Sequence, residues 1–255
     1  MIEWSKFMGY RINVSPLSQL IEFCGQRIQS PSGANLVFSC ANPHALAAAQ
    51  RSSDFRNALE DSDMLVTDGI GVSIVGNILG INVGPRITGS DFFSALMNQQ
   101  NRISLSRKVR VYFFGSSPKV LRLMKNNLES MYPNIDFCGF TSPPYGAWSE
   151  AENAAFIEQI NAANPDVLWV GMTAPKQELW THNNRDKLTV PIIGNVGAVF
   201  DFCAGTYERA PEWAKKCGLE WLVRLCKEPK RMWRRNFISP IVFVIAAIQF
   251  SSVKR

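Results

Sequence analysis

Six short apolar runs, at 36–40, 64–67, 109–114, 135–140, 167–170 and 191–194, each end in glycine, proline or small polar residues. Between them apolar residues return at helical spacing, as in Leu17, Leu20, Ile21, Cys24 and Ile28, or Val120, Leu121, Met124 and Leu128. Runs this short read as buried strands, and their alternation with helices predicts a largely parallel sheet covered on both faces. The expected fold class is α/β, a three-layer Rossmann-like sandwich. With 255 residues and 46% apolar content, the chain has material for a full core. The expected division is a core of two interleaved subdomains over residues 1–204 and a helical, basic C-terminal appendage over residues 205–255.

One strand-to-helix junction stands out. The run 64–67 delivers Asp68 onto Gly69, Ile70 and Gly71, and Val72, Val75, Ile78 and Leu79 follow at helical spacing. Asp68 therefore sits at the C-terminal end of a strand, the edge where open α/β sheets bind ligands, beside a helix start that favours anions. Helix capping is the plain alternative for such an aspartate, worth about 1 kcal/mol. Gly69 and Gly71 also begin a dinucleotide fingerprint, but its third glycine position holds Ile74. That demotes a nicotinamide-dependent sugar oxidoreductase to an alternative.

Other strand ends carry further candidates. Asn42 follows the run 36–40 and is either a turn former before Pro43 or a ligand contact. The loop Gly84-Pro85-Arg86-Ile87-Thr88-Gly89-Ser90-Asp91 is dense in polar and turn residues; Arg86 has the fork geometry to clamp a phosphate. Lys176, Gln177 and Glu178 stand together after the run 167–170, and Asn195 and Gly197 follow 191–194. Tyr145, in a proline-rich loop, suits either stacking on a base or sugar or core packing. Asp61-Ser62-Asp63 matches a metal-binding D-x-D, but it precedes its strand, so we read it as a solvated turn.

Composition narrows the partners. Six cysteines without any C-x-x-C pair and only two histidines are poor material for zinc, and the N-terminus lacks a continuous apolar segment, so reduced thiols in the cytoplasm are expected. The net charge of +6 is concentrated in the tail, where ten cations beyond Arg209 meet only Glu212, Glu220 and Glu228. There Trp213, Leu219, Trp221, Leu222, Leu225 and Trp233 interleave with Arg224, Arg231, Arg234 and Arg235, a mixture suited to an anionic membrane surface. No nucleic-acid motif accompanies it. The apolar stretch 238–250 is shorter than the roughly 20 residues that span a bilayer, so an interfacial anchor or a buried helix is expected.

Several of these segments occur together in one family. Asp68-Gly69-Ile70-Gly71-Val72, the 86–91 loop, Ala174-Pro175-Lys176-Gln177-Glu178, Gly197-Ala198-Val199-Phe200-Asp201, Arg209-Ala210-Pro211-Glu212-Trp213, Gly218-Leu219-Glu220-Trp221 and Glu228-Pro229 stand in the same order. The chain resembles the bacterial WecG/TagA/CpsF glycosyltransferases, which are N-acetylmannosaminyltransferase-like, over roughly residues 36–235. The resemblance implies inverting, metal-independent transfer from a UDP-sugar to a polyprenyl-diphosphate-linked saccharide in cell-surface or exopolysaccharide biosynthesis. No cofactor is expected beyond the donor. It makes Asp68 the general base and places Asn42, Arg86 and Gln177 in the substrate pocket, with Cys40 on the acceptor side; Thr88, Tyr145, Lys176, Glu178, Asn195 and Gly197 complete the expected substrate-binding set. Arg209, Arg224, Arg231, Arg234 and Arg235 become contacts to diphosphate or membrane, on the inner face of the cytoplasmic membrane, with a homo-oligomer among the expected states. Cys40 stands where many members carry Thr, and Met172-Thr173 replaces a glycine-rich loop. A non-catalytic nucleotide-sugar-binding scaffold is the alternative from outside enzymology.

Overall fold

The computed structural model describes residues 2–103, 107–207, 211, 214, 217, 220–227, 233 and 237–252. Eight strands form one sheet in the order β1-β2-β4-β3-β8-β7-β5-β6. The six expected strands are all present: β3 (Leu36–Ala41), β4 (Met64–Thr67), β5 (Val109–Gly115), β6 (Ile135–Thr141), β7 (Val167–Gly171) and β8 (Ile192–Asn195). They run parallel to one another. Sequence reading missed β1 (Trp4–Phe7) and β2 (Tyr10–Asn13), an antiparallel hairpin that adds to the edge beside β4. Each has only four residues, and Met8-Gly9, both at positive φ, turn the chain between them.

Alternation along the strands sorts side chains to two faces. Phe38, Val66, Val111, Phe113 and Trp169 face one side and pack with α1 (Leu17–Gln29), α5 (Gly89–Arg102), α6 (Pro118–Met131) and α9 (Val199–Cys203). Phe38 stacks on Phe92 of α5 at 3.8 Å between ring centroids, and Phe93 lies 4.9 Å from Trp169. Leu65 faces the other side with α2 (Pro43–Ala49), α3 (Ser53–Glu60) and α4 (Ile70–Ile78). Tyr112, Phe114, Leu168 and Ile193 continue that layer against α7 (Glu150–Ala162) and α8 (Lys176–Asn184). The result is the three-layer sandwich expected from the strand and helix rhythm.

The C-terminal helix, Ser239–Ser252, returns to this second layer. Phe243 and Ala247 are buried among Phe7, Leu46 and Phe55, while Ile241, Val244, Ile245 and Ile248 remain exposed. It is thus packed on one face and apolar on the other. Among the described residues, no helix is long and apolar enough to cross a membrane.

The chain leaves β3 into α2 on one face of the sheet and leaves the adjacent β8 into α9 on the other. Such a divergence opens a crevice at the strands' C-terminal ends.

Candidate active site

Asp68 lies where β4 ends, at this crevice. Its backbone N–H donates to Ala41 O at 2.9 Å, joining the ends of β3 and β4. Gly69 follows at φ +93°, a left-handed conformation that glycine adopts without steric cost. Two residues on, a Cβ at Gly71 would fall 2.8 Å from Pro43 Cγ, so a glycine here lets the starts of α2 and α4 lie against each other. Asp68 is not the N-cap of α4; that place belongs to Gly69, which makes no side-chain bond.

The 81–88 loop is tied down beside it. Thr67 Oγ1 donates to Val83 O at 2.6 Å and Ile87 N–H donates to Thr67 O at 2.8 Å, which holds half-exposed Arg86 next to the end of β4. Thr88 then caps α5: its Oγ1 accepts from Asp91 N–H at 3.1 Å while Asp91 Oδ2 accepts from Thr88 N–H at 3.2 Å. A Cβ at Gly89 would lie 3.2 Å from Val196 O after β8, so glycine here lets the start of α5 approach that turn closely.

Cys40, at the end of β3, is the meeting point of these elements. Burial pushes its thiol well above the ordinary range, and the nearby carboxylates of Asp68, Glu178 and Asp91 push it further; only a hydrogen bond from Gly89 N–H opposes them. The thiol is therefore held neutral. Asp91 was visible in the sequence only as part of a helix start, and nothing in the local pattern placed it beside Asp68 and Glu178.

Gln177 and Glu178 are buried at the start of α8. Gln177 Oε1 accepts from Gly197 N–H at 3.0 Å and from Met172 N–H at 3.3 Å, while its Nε2 donates to Glu178 Oε1 at 2.8 Å. One amide thereby joins the turn after β7 to the turn after β8, and it does so although Met172-Thr173 replaces glycine in the first of them. Lys176 reaches the other way: its ammonium donates to Gly146 O and lies 3.9 Å from the Trp148 ring centroid, and burial lowers its pKa. That holds the 142–148 loop at the rim. Tyr145 at its tip is fully exposed, so the core-packing alternative for it is wrong.

Two candidates also brace the fold. Asn42 caps α2, its Oδ1 accepting from Ala45 N–H at 2.9 Å. Asn195 is only 2% exposed; its Oδ1 accepts from Thr181 at 2.8 Å and its Nδ2 donates to Ser39 Oγ at 3.0 Å, which in turn meets Ser62 Oγ at 2.9 Å. This buried polar chain fixes α8 and α3 to the sheet beneath the crevice. Arg224 lies in the helix Glu220–Lys227, and Arg209, Arg231, Arg234 and Arg235 lie outside the described residues.

The D-x-D pair is elsewhere, in a partly exposed turn at the N-terminal edge of the sheet as expected, but its carboxylates are engaged rather than merely solvated. Asp63 Oδ2 accepts from Arg185 at 2.8 Å and from Val37 N–H at 2.9 Å, while Asp61 meets Arg185 at 3.1 Å and His182 at 3.0 Å. Among the described residues, no group of His, Cys, Asp and Glu is arranged to hold a metal ion. A concavity of about 1080 Å³ lies between α7 and α8 and is lined by Trp148, Asn153, Trp180 and Asn184. Its amides are spent on one another, Asn153 accepting from Trp180 Nε1 at 2.7 Å and donating to Asn184 at 2.8 Å.

The model of the glycosyl transferase WecG/TagA/CpsF family matches residues 5–254 of this sequence. The chain belongs to that family. WecG/TagA/CpsF relatives include the N-acetylglucosaminyldiphosphoundecaprenol N-acetyl-beta-D-mannosaminyltransferase of Bacillus subtilis strain 168, 31% identical over 80% of this chain and 76% of its own. The protein of the same name from Staphylococcus aureus strain MW2 is 27% identical over 94% of this chain and 91% of its own. The chain is therefore an enzyme, a glycosyltransferase of this family, with a Rossmann-like sandwich as its frame.

Proposed function

We propose that the chain transfers a sugar from a UDP-sugar to a polyprenyl-diphosphate-linked saccharide, with inversion and without a metal ion, and that Asp68 is the general base. The observation that carries this reading is the position of Asp68, at the end of a central strand with the starts of α2, α4 and α5 around it. The printed activity of the relatives, on an undecaprenyl-diphosphate-linked N-acetylglucosamine, supports the class of acceptor.

In the proposed step an acceptor hydroxyl attacks the anomeric carbon from the face opposite the leaving diphosphate. The new C–O bond forms as the bond to the diphosphate oxygen breaks, the electron pair leaves with UDP, and the hydroxyl proton passes to the Asp68 carboxylate. UDP departs with added negative charge. Arg86 and the positive ends of the helices that start at the crevice are the groups that stabilise it. Asp61 and Asp63, the residues a metal-dependent transferase would use, are engaged with Arg185 at the far edge of the sheet. Gln177, by fixing Gly197 and Met172, sets the shape of the floor against which the donor lies. In this proposal the basic tail and the exposed face of the C-terminal helix hold the enzyme on an anionic bilayer, where a lipid-linked acceptor is found.

The test is UDP release by the purified chain across a panel of UDP-sugars in EDTA, with and without a polyprenyl-diphosphate-linked N-acetylglucosamine. Release with one donor that requires the acceptor is the expected result, and it names the sugar. Release that requires a divalent ion, or none with any donor and acceptor pair, contradicts the proposal.

A further inference from the structure

Helix α4 contains no charged side chain. Its inner side buries Val72 and Val75, yet it also shows an apolar row to the outside: Ile70, Ile74 and Ile78 are 40, 49 and 77% exposed. Residues four apart share a helix face, so the row is continuous and spans about 12 Å. It begins two residues after Asp68. It is flanked on one side by Ser73 and Asn77 and on the other by Gly71 and buried Val75, which leaves it one exposed side chain wide. The helix also touches the C-terminal helix, whose own outward row is Ile241, Ile245 and Ile248.

We propose that this row seats the isoprenoid chain of the acceptor, led away from the diphosphate at the crevice along α4 toward the C-terminal helix. The inference rests on the lipid-linked-acceptor reading above and adds to it the path of the lipid. An acceptor that presents a sugar hydroxyl to Asp68 must carry its hydrocarbon off across an adjoining surface, and the α4 row is apolar from the crevice outward. Its width suits a single chain. A stable interface with a second copy needs about 800 Å² from each partner, far more than three partly exposed isoleucines supply.

Equilibrium binding of two water-soluble probes, without detergent or vesicles, tests this. One is a short prenyl-diphosphate-linked N-acetylglucosamine; the other replaces the prenyl chain with a methyl group. The wild-type chain should bind the prenyl probe about tenfold more tightly, and the doubly substituted Ile74→Asn, Ile78→Asn chain should lose that advantage while binding the methyl probe as before. Ile78→Asn alone, at the most exposed position, should lose part of it with no change in melting temperature. Three results overturn the proposal: no prenyl preference in the wild type, a preference the double variant keeps, or a double variant that changes oligomeric state or loses vesicle binding while its prenyl preference stays intact. Wild-type transfer that is indifferent to the prenyl chain removes the path alone, whereas transfer to neither probe nor a full-length acceptor removes the lipid-linked-acceptor reading itself.

Discussion

The two edges of the sheet hold their polar groups in different ways. At the N-terminal edge cations and anions are matched: Asp61 and Asp63 with Arg185, Asp166 with Arg107 at 2.6 Å, Asp136 with Arg110 at 2.7 Å. At the C-terminal edge Asp68, Asp91 and Glu178 all act on the buried Cys40 thiol, and two of them are bonded over short range, Asp91 accepting from Thr88 N–H and Glu178 from Gln177 Nε2. Matched charges hold a frame and leave little field outside it. Carboxylates placed at a crevice beyond the ends of parallel strands are the arrangement in which acid–base chemistry is found. The first edge is the structural one and the second is the one proposed above as chemical, so substitutions on the two should separate stability from activity.

The largest effect short of the base itself belongs to Gln177→Leu. It strands the N–H groups of Met172 and Gly197 and removes the amide donor to Glu178, so stability should fall by about 3 kcal/mol and transfer by about tenfold or more. A melting curve and an initial-rate assay at a temperature where the variant is folded separate the two. Asp166→Ala acts at the other edge. Asp166 is buried and accepts from Arg110 N–H at 2.8 Å as well as from Arg107, so its loss should cost about 2 kcal/mol, several degrees in melting temperature, with transfer per folded molecule unchanged. Reduced turnover in that variant would break the contrast. Asp61→Ala removes a partly exposed ion pair and should cost no more than about 1 kcal/mol, with equal transfer in EDTA and in manganese.

The smallest effects concern thiols. Exposed Cys217 and Cys226 should be alkylated first at pH 8, with Cys24, Cys40 and Cys203 protected, as peptide mapping would show. Burial holds Cys24 and Cys203 up to about 12, whereas an unfolded thiol ionises near 9. The unfolded chain thus releases these protons first. Stability is greatest below pH 9 and falls as pH rises from about 9 to about 12, a slope that chemical denaturation across this range measures.

How much of this was legible from the residues follows from the range of the interactions involved. The six parallel strands and Asp68 at a strand end were readable because apolar runs and glycine turns are local signals. The β1-β2 hairpin was not, since four-residue strands interrupted by Ser5, Lys6 and Arg11 show no clear period. Pairings such as Asp63 with Arg185, 122 positions apart, leave no trace in sequence, and the D-x-D therefore looked like a solvated turn. The bond between Asn195 and Ser39, 156 positions away, was equally out of reach. The family motifs brought Lys176, Gln177 and Glu178 forward as a group, but only the fold separates Lys176, which holds a rim loop, from Gln177, which joins two turns.

The most direct test of the account compares the wild-type chain with Asp68→Asn in acceptor-dependent sugar transfer, alongside donor binding and melting temperature. A carboxamide keeps the shape and cannot take the proton. The account predicts a fall in transfer of at least 100-fold, about what a positioned general base contributes, with donor affinity and melting temperature nearly unchanged. An Asp68→Asn chain that retains most of the wild-type rate would contradict it.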